Sequence, residues 1–318
     1  MASSSSAPQT GSPTTIPLVD FSDFTPDKPA AKERIARDLV AACRDVGFVY
    51  ITNHGVPQDT LAKAFEVSKK FYDLPLEDKM KAPHPPGWTV HRGYSWPGLE
   101  KVSAASTSET DDDREVVEKL REVQDFKPNI WPPDDVYPEW RPFMTAFYWT
   151  CFEAAGKNIL RALAIGIGLR HEDDLLKLHS GQYNQLRLLH YPPIRAAAID
   201  QGKFARMPAH TDWSSITLLF QDDCGGLQVE ASQGQGAHFI DVAPIPGALV
   251  MNVGDLLMRW SNDYLKSTLH RVSLPPLQDR FSGEEKMTRA RYSIPYFLTT
   301  DPDSEIRCYA REDAVSER

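Results

Sequence analysis

The sequence predicts a mainly β protein with flanking helices, in which the helices lead and the strands follow. In roughly the first half of the chain, apolar side chains recur every three or four positions, the period of an amphipathic helix. After His179 the pattern changes to short alternating or apolar runs separated by Gly, Asp, Asn or Pro, the signature of a β sandwich or barrel. Neither an internal repeat nor a flexible linker divides the two regions, so they are expected to form one functional unit, a β core buttressed by N-terminal helices.

Composition narrows the function classes before any motif is considered. The chain has 318 residues, 41% hydrophobic and 25% charged, which is enough for a sizeable core. Its net charge of −9, with Lys and Arg scattered, excludes a basic nucleic-acid-binding face. Cys43, Cys151, Cys224 and Cys308 are far apart and form no C-x-x-C pair, so the thiols are read as reduced. No apolar run is long enough to span a membrane, and the N-terminus lacks the basic and apolar regions of a secretory signal. A cytoplasmic location is the expectation.

In chain order, Ala2 to Thr15 is rich in Ser, Thr and Pro and is expected to be a disordered tail. IPLVDFSDF is a short strand, and Ala30 to Cys43 places Ile35, Leu39 and Ala42 on one helical face. Gly47 to Val56 is β-rich, with His54 read as a structural histidine in its turn. Pro57 opens a helix whose stripe is Leu61, Phe65, Ser68 and Phe71. Lys79 to Trp131 is irregular, with an acidic run from Glu109 to Glu115; it suits either an active-site cover or a solvated excursion. Pro138 to Leu169 is a long amphipathic helix carrying Trp140, Phe143, Phe147, Cys151, Ala155, Ile159, Leu163 and Ile167. The strand-like segments that follow are QLRLLHYPP, HTDWSSITLLFQ, GGLQVE, HFIDVAP, GALVMNVGDLLMRW, STLHRVSLP and RYSIPYFLT.

Within these segments, His210 and Asp212 stand two residues apart, and on one strand they would share a face and could chelate one metal ion. A third ligand is needed. His270 is preferred because the turn chemistry of GDLLMRWSNDYLKS would fold its strand back beside that of His210; His190 and His238 are the alternatives. Two imidazoles and one carboxylate suit Fe(II) with open positions better than zinc, since the general base of an H-E-x-x-H site is absent. Arg291 and Ser293 share a strand face and form a plausible carboxylate anchor, whereas Arg280 and Arg289 fall in a polar insertion. Strand parity puts Arg187 on the face of Tyr191, and Phe297 on the face of Arg291 and Ser293. With Trp213, which follows Asp212, they are read as substrate-pocket residues, with barrel packing as the alternative.

H-x-D, H-R-V and R-x-S, with Y-P-P upstream and G-G-L-Q-V and N-x-G-D between, resemble the 2-oxoglutarate/Fe(II)-dependent dioxygenase superfamily, in its isopenicillin N synthase-like branch. IPLVDFS, GFVYITNHGV and FYDLPLEDK resemble the leading region of that branch, and LRLLHYP, DLLMRWSND and RYSIPYF are most similar to fungal members. The resemblance implies a double-stranded β-helix, or jelly roll, over residues 171–318, preceded by a helical region over 16–170 and a tail over 1–15. It implies that His210, Asp212 and His270 hold Fe(II), that Arg291 and Ser293 bind the distal carboxylate of 2-oxoglutarate with help from Tyr191, and that O2 is the other co-substrate. The chain departs from the pattern at Leu189, where many plant members carry Asn, and in DREVVEKL, where Glu115 is kept and Val replaces an aromatic residue. The implied activity is oxidation of a small-molecule substrate by hydrogen abstraction, in fungal secondary metabolism. Thymine dioxygenase-like nucleobase hydroxylation and an isopenicillin N synthase-like oxidase that does not use 2-oxoglutarate are the alternatives.

Overall fold

A computed structural model describes residues 15–86, 91–96, 128–200, 206–231 and 238–308. The expected tail, apart from Thr15, and most of the expected cover between Lys79 and Trp131, including Glu115, lie outside the described residues. The strands are β1 (Leu18–Asp20), β2 (Phe48–Thr52), β3 (Gln185–Leu186), β4 (Leu189–Tyr191), β5 (Met207–His210), β6 (Ile216–Gln221) and β7 (Leu227–Glu230). They continue as β8 (Phe239–Asp241), β9 (Ala248–Val253), β10 (His270–Val272), β11 (Phe281–Ser282), β12 (Met287–Thr288) and β13 (Arg291–Leu298). The large sheet runs β1-β2-β9-β6-β13-β3 with β4 also paired to β13, and the small sheet runs β5-β10-β7-β8.

The large sheet has two buried faces, and residue alternation assigns side chains to each. On one face Val49, Ile51, Leu249, Met251, Ile216, Leu218, Phe220, Ile294, Tyr296 and Leu298 join the apolar core with the helices. On the other, Phe48, Tyr50, Val250 and Tyr191 pack with Leu227, Val229 and Val272 of the small sheet. The molecule is therefore layered as helices, large sheet and small sheet, and the space between the sheets lies behind the polar residues of the inner face. N-terminal β1 and β2 complete the large sheet beside β9.

The helical layer comprises α1 (Pro29–Asp45), α2 (Gln58–Tyr72), the short α3 (Leu76–Lys79), α4 (Trp140–Thr150) and α5 (Lys157–Ile167). The expected long helix is present from Trp140 to Ile167, but Cys151–Gly156 winds as a π-helix between α4 and α5. Here the helix packs tightly on β13: a Cβ at Gly156 would meet Leu298 Cδ2 at 2.9 Å. Gly168, at φ 84°, ends α5 in the left-handed conformation that glycine adopts without penalty. No helix among the described residues is long and apolar enough to cross a membrane.

Two strand expectations are corrected. HTDWSSITLLF is not one strand: β5 ends at His210, and β6 begins at Ile216 in the other sheet. DLLMRW, expected as a continuation of the β9 strand, is a helix, α7 (Asp255–Trp260), which follows α6 (Ala196–Asp200). Its acid stands in the first turn, and Leu257 and Trp260 are buried at an i, i+3 spacing that a strand would send to opposite faces.

The crossing of α1 and α5 depends on Gly166, where a Cβ would collide with the Ala36 carbonyl oxygen and Val40 Cγ2. Gly166→Val is expected to destabilise the protein by about 1–3 kcal/mol, the usual range for overpacking. Chemical denaturation checks this, and an unchanged midpoint would contradict the close approach.

Candidate active site

β5 and β10 pair antiparallel with His270 directly opposite His210, as the turn chemistry between them led one to expect. Each imidazole is oriented in the same way. His210 Nδ1–H donates to the Pro208 carbonyl at 2.8 Å, and His270 Nδ1–H donates to the Thr268 carbonyl at 3.1 Å. A carbonyl only accepts, so the proton sits on Nδ1 and the Nε2 lone pair is left to point elsewhere. Both Nε2 atoms point at Asp212 Oδ1, at 3.8 Å from His210 and 3.6 Å from His270.

Asp212 reaches this position from the loop after β5, not from the strand itself. Its carbonyl accepts from Asp255 N at 2.7 Å, and Thr211 Oγ1 donates to Asp255 Oδ2 at 3.0 Å, which ties the loop to the start of α7. Gly254 makes the tie possible, because a Cβ there would stand inside the van der Waals radius of the Ser214 carbonyl oxygen. The carboxylate is then fixed by one oxygen: Oδ2 accepts from Thr217 Oγ1 at 2.6 Å and from Asn252 Nδ2 at 2.8 Å. Thr217 and Asn252 are register partners on β6 and β9, on the inner face of the large sheet. Oδ1 is thereby kept for the histidines' side.

The three ligand atoms all lie within 4.8 Å of one another, and this is the one such group of three among the described residues. Two imidazole lone pairs and a carboxylate oxygen face each other with no hydrogen between them, an arrangement that fits a bound cation. Burial lowers the pKa of His210, helped by the neighbouring His270, which favours the neutral form that a metal requires. His190 and His238 are not part of the group. His190 stacks on Tyr292 at 4.5 Å on the opposite face of β4, and His238 is exposed beside β8.

Arg291 and Ser293 do share the inner face: Arg291 Nη1 donates to Ser293 Oγ at 3.0 Å, and the guanidinium lies 5.0 Å from the Tyr191 ring centroid. Arg291 is 1% exposed, and its second amino group donates to the neutral Gln221 at 3.4 Å. Arg280 and Arg289 instead pair with the exposed Asp223. Burial raises the Tyr191 pKa, against the opposing charges of Arg291, Arg187 and Arg206. The charge of Arg187 also acts on His210, so this side chain lies near both His210 and Tyr191. Phe297 is the register partner of Thr217 and belongs to neither apolar core. Trp213 is 75% exposed on the loop carrying Asp212. His54 is not part of the three-ligand group; its Nδ1 accepts from Val56 N at 3.2 Å.

Sequence reasoning missed Thr217, Asn252 and Gln221. Their signal was parity: each is a polar residue at the inner-face position of a strand whose other face is apolar. Asn252→Ala frees one side of the carboxylate, and Fe(II) or Mn(II) affinity is expected to fall by about 10–100-fold with the fold unchanged. Metal titration of the variant measures this; wild-type affinity would show that Asp212 needs no such support.

Comparison with known proteins agrees with this geometry. Residues 183–300 match the model of the 2OG-Fe(II) oxygenase superfamily, and residues 16–134 match that of the non-haem dioxygenase in morphine synthesis N-terminal region. The 2-oxoglutarate-Fe(II) type oxidoreductase ppzD of Metarhizium rileyi is 36% identical over 290 residues, covering 89% of this chain and 80% of the relative. The proline hydroxylase buaE of Petromyces alliaceus is 37% identical over 294 residues, covering 92% and 89%. Among solved structures, the full-length thymine dioxygenase of Neurospora crassa in complex with alpha-KG superposes with a TM-score of 0.76 at 35% identity, covering 93% of this chain and 88% of that one. The chain belongs to the 2-oxoglutarate/Fe(II)-dependent oxygenase superfamily, and its cofactors are those of the family: Fe(II), 2-oxoglutarate and O2.

Proposed function

We propose that this oxygenase hydroxylates, or otherwise oxidises by hydrogen abstraction, a small molecule of fungal secondary metabolism. His210, Asp212 and His270 hold the Fe(II), and Arg291, Ser293 and Tyr191 bind the distal carboxylate of 2-oxoglutarate. The observation that carries the reading is the shared inner face. The converging Nε2 and Oδ1 atoms meet Thr217 and Asn252 on the inner face of the large sheet, and strand parity puts the buried Arg291, which pairs with no acid among the described residues, on that same face. The two sheets are read as the double-stranded β-helix of the family, with the region up to about residue 170 supplying the outer helices.

Fe(II) with 2-oxoglutarate and O2 supplies the oxidant, the co-substrate leaving as succinate and CO2. The chain's own residues position and enclose. The Nδ1–H bonds to Pro208 and Thr268 set both imidazoles, and the Thr217 and Asn252 bonds set the carboxylate, so little reorganisation is needed on binding. Arg187, Trp213 and Phe297 line the substrate side: Arg187 offers donors to a carbonyl or carboxylate, and the two rings offer faces for stacking.

A second reading, nucleobase hydroxylation, has its support in the solved complex of the Neurospora crassa thymine dioxygenase with alpha-KG and thymine, which superposes with a TM-score of 0.75 at 35% identity. The proline hydroxylase relative favours instead an imino-acid or peptide-derived substrate. A screen for succinate release against panels of pyrimidines and of prolyl compounds separates the two, since only a true substrate yields stoichiometric succinate and oxidised product. With that substrate in hand, Arg187→Ala is expected to raise its KM about tenfold or more, a larger change than in the KM for 2-oxoglutarate. An unaltered substrate KM would remove Arg187 from the pocket.

A further inference from the structure

Arg206 belongs to no motif discussed above. It immediately precedes β5, and its Nη2 donates to Thr288 Oγ1 at 2.6 Å and to the Arg289 carbonyl at 3.2 Å, next to the start of β13. Its remaining nitrogens, Nε and Nη1, are buried without an oxygen or nitrogen partner, the Cys224 sulfur standing beside the guanidinium, and Nε of Arg291 is likewise without a partner. Its charge acts on both Arg291 and Tyr191, so the two guanidiniums and the phenol share one neighbourhood.

Among the described residues this neighbourhood holds no anion paired with either guanidinium, and the acids close by are committed elsewhere. Asp222 accepts from the backbone N–H groups of Cys224 and Tyr292, and Asp223 pairs with Arg280 and Arg289. Two cations whose unfilled donors are buried repel one another and have lost water there, an arrangement that a bound carboxylate relieves and a neutral ligand does not.

We infer that Arg206 is a second cationic contact for the distal carboxylate of 2-oxoglutarate, acting beside Arg291 and Ser293 and supplying the polar contact that Leu189 cannot. The inference rests on the proposed placement of that carboxylate at Arg291. A ligand with a single carboxylate, at its 2-oxo acid end, gains nothing from Arg206, so the residue selects for a dicarboxylate.

The test is calorimetric titration of Mn(II)-loaded protein with 2-oxoglutarate and with 2-oxopentanoate, which keeps the 2-oxo acid end and lacks the distal carboxylate. Arg206→Gln is expected to weaken 2-oxoglutarate binding about tenfold or more while leaving 2-oxopentanoate binding unchanged. Arg206→Lys, which keeps the charge and loses the planar fork, is expected to fall between the two and carries the test if the Gln variant does not fold. Wild-type affinity for 2-oxoglutarate in either variant, or equal weakening of both ligands, overturns the inference. Arg291→Gln is the control: if it too leaves 2-oxoglutarate binding intact, the carboxylate anchor itself is misplaced, whereas a loss confined to Arg291 overturns the role of Arg206 alone.

Discussion

The large sheet is buried on both faces, and strict alternation along its strands decides what each face does. Val49, Ile51, Leu218, Met251 and Tyr296 face the helices and supply the apolar area that stabilises the fold. Their immediate neighbours face the small sheet, and there the same strands carry Thr217, Asn252, Arg291 and Ser293. A shift of one residue in any register would bury the polar set among helices and turn the apolar set toward the site. Stability and chemistry are thus coupled through strand pairing, and the helical layer is what makes the register worth keeping.

His210, His270 and Asp212 are each held by one side-chain atom, which leaves a second atom directed at the other two. Backbone carbonyls take the Nδ1 protons of both histidines, and Thr217 with Asn252 takes one oxygen of Asp212. What remains is a set of electron-pair donors facing one another and, on the large sheet's inner face, the Arg291 guanidinium, which pairs with no acid among the described residues. The first set fits a metal ion and the second an anionic ligand. An oxygenase that chelates a dicarboxylate 2-oxo acid to Fe(II) needs both, at opposite ends of one co-substrate.

Much of this was legible in the residues. The helical stripes of α1, α2 and the helix from Trp140 to Ile167 followed from spacing, and R-x-S on one strand face followed from parity. The third ligand was chosen from turn chemistry, and the pairing of His270 with His210 agrees with that choice. Local pattern misled where tertiary context won. HTDWSSITLLF reads as a continuous strand, yet Asp212 belongs to a loop held by Asp255 N and by the close approach at Gly254. DLLMRW is apolar enough for a strand, but its buried Leu257 and Trp260 require helical spacing. Asn252 had a signal in strand parity, as a polar residue at an inner-face position, whereas Arg206 lies just outside a strand and its partners across the fold cannot be read from spacing.

The central claim is that one ion sits between His210 Nε2, His270 Nε2 and Asp212 Oδ1. Anomalous diffraction at the iron edge, from crystals grown anaerobically with Fe(II) and 2-oxoglutarate, tests it most directly. The account predicts a single strong peak bonded to those three atoms, with the co-substrate extending from it toward Arg291. An iron peak elsewhere, or a co-substrate whose distal carboxylate lies away from Arg291, would contradict it.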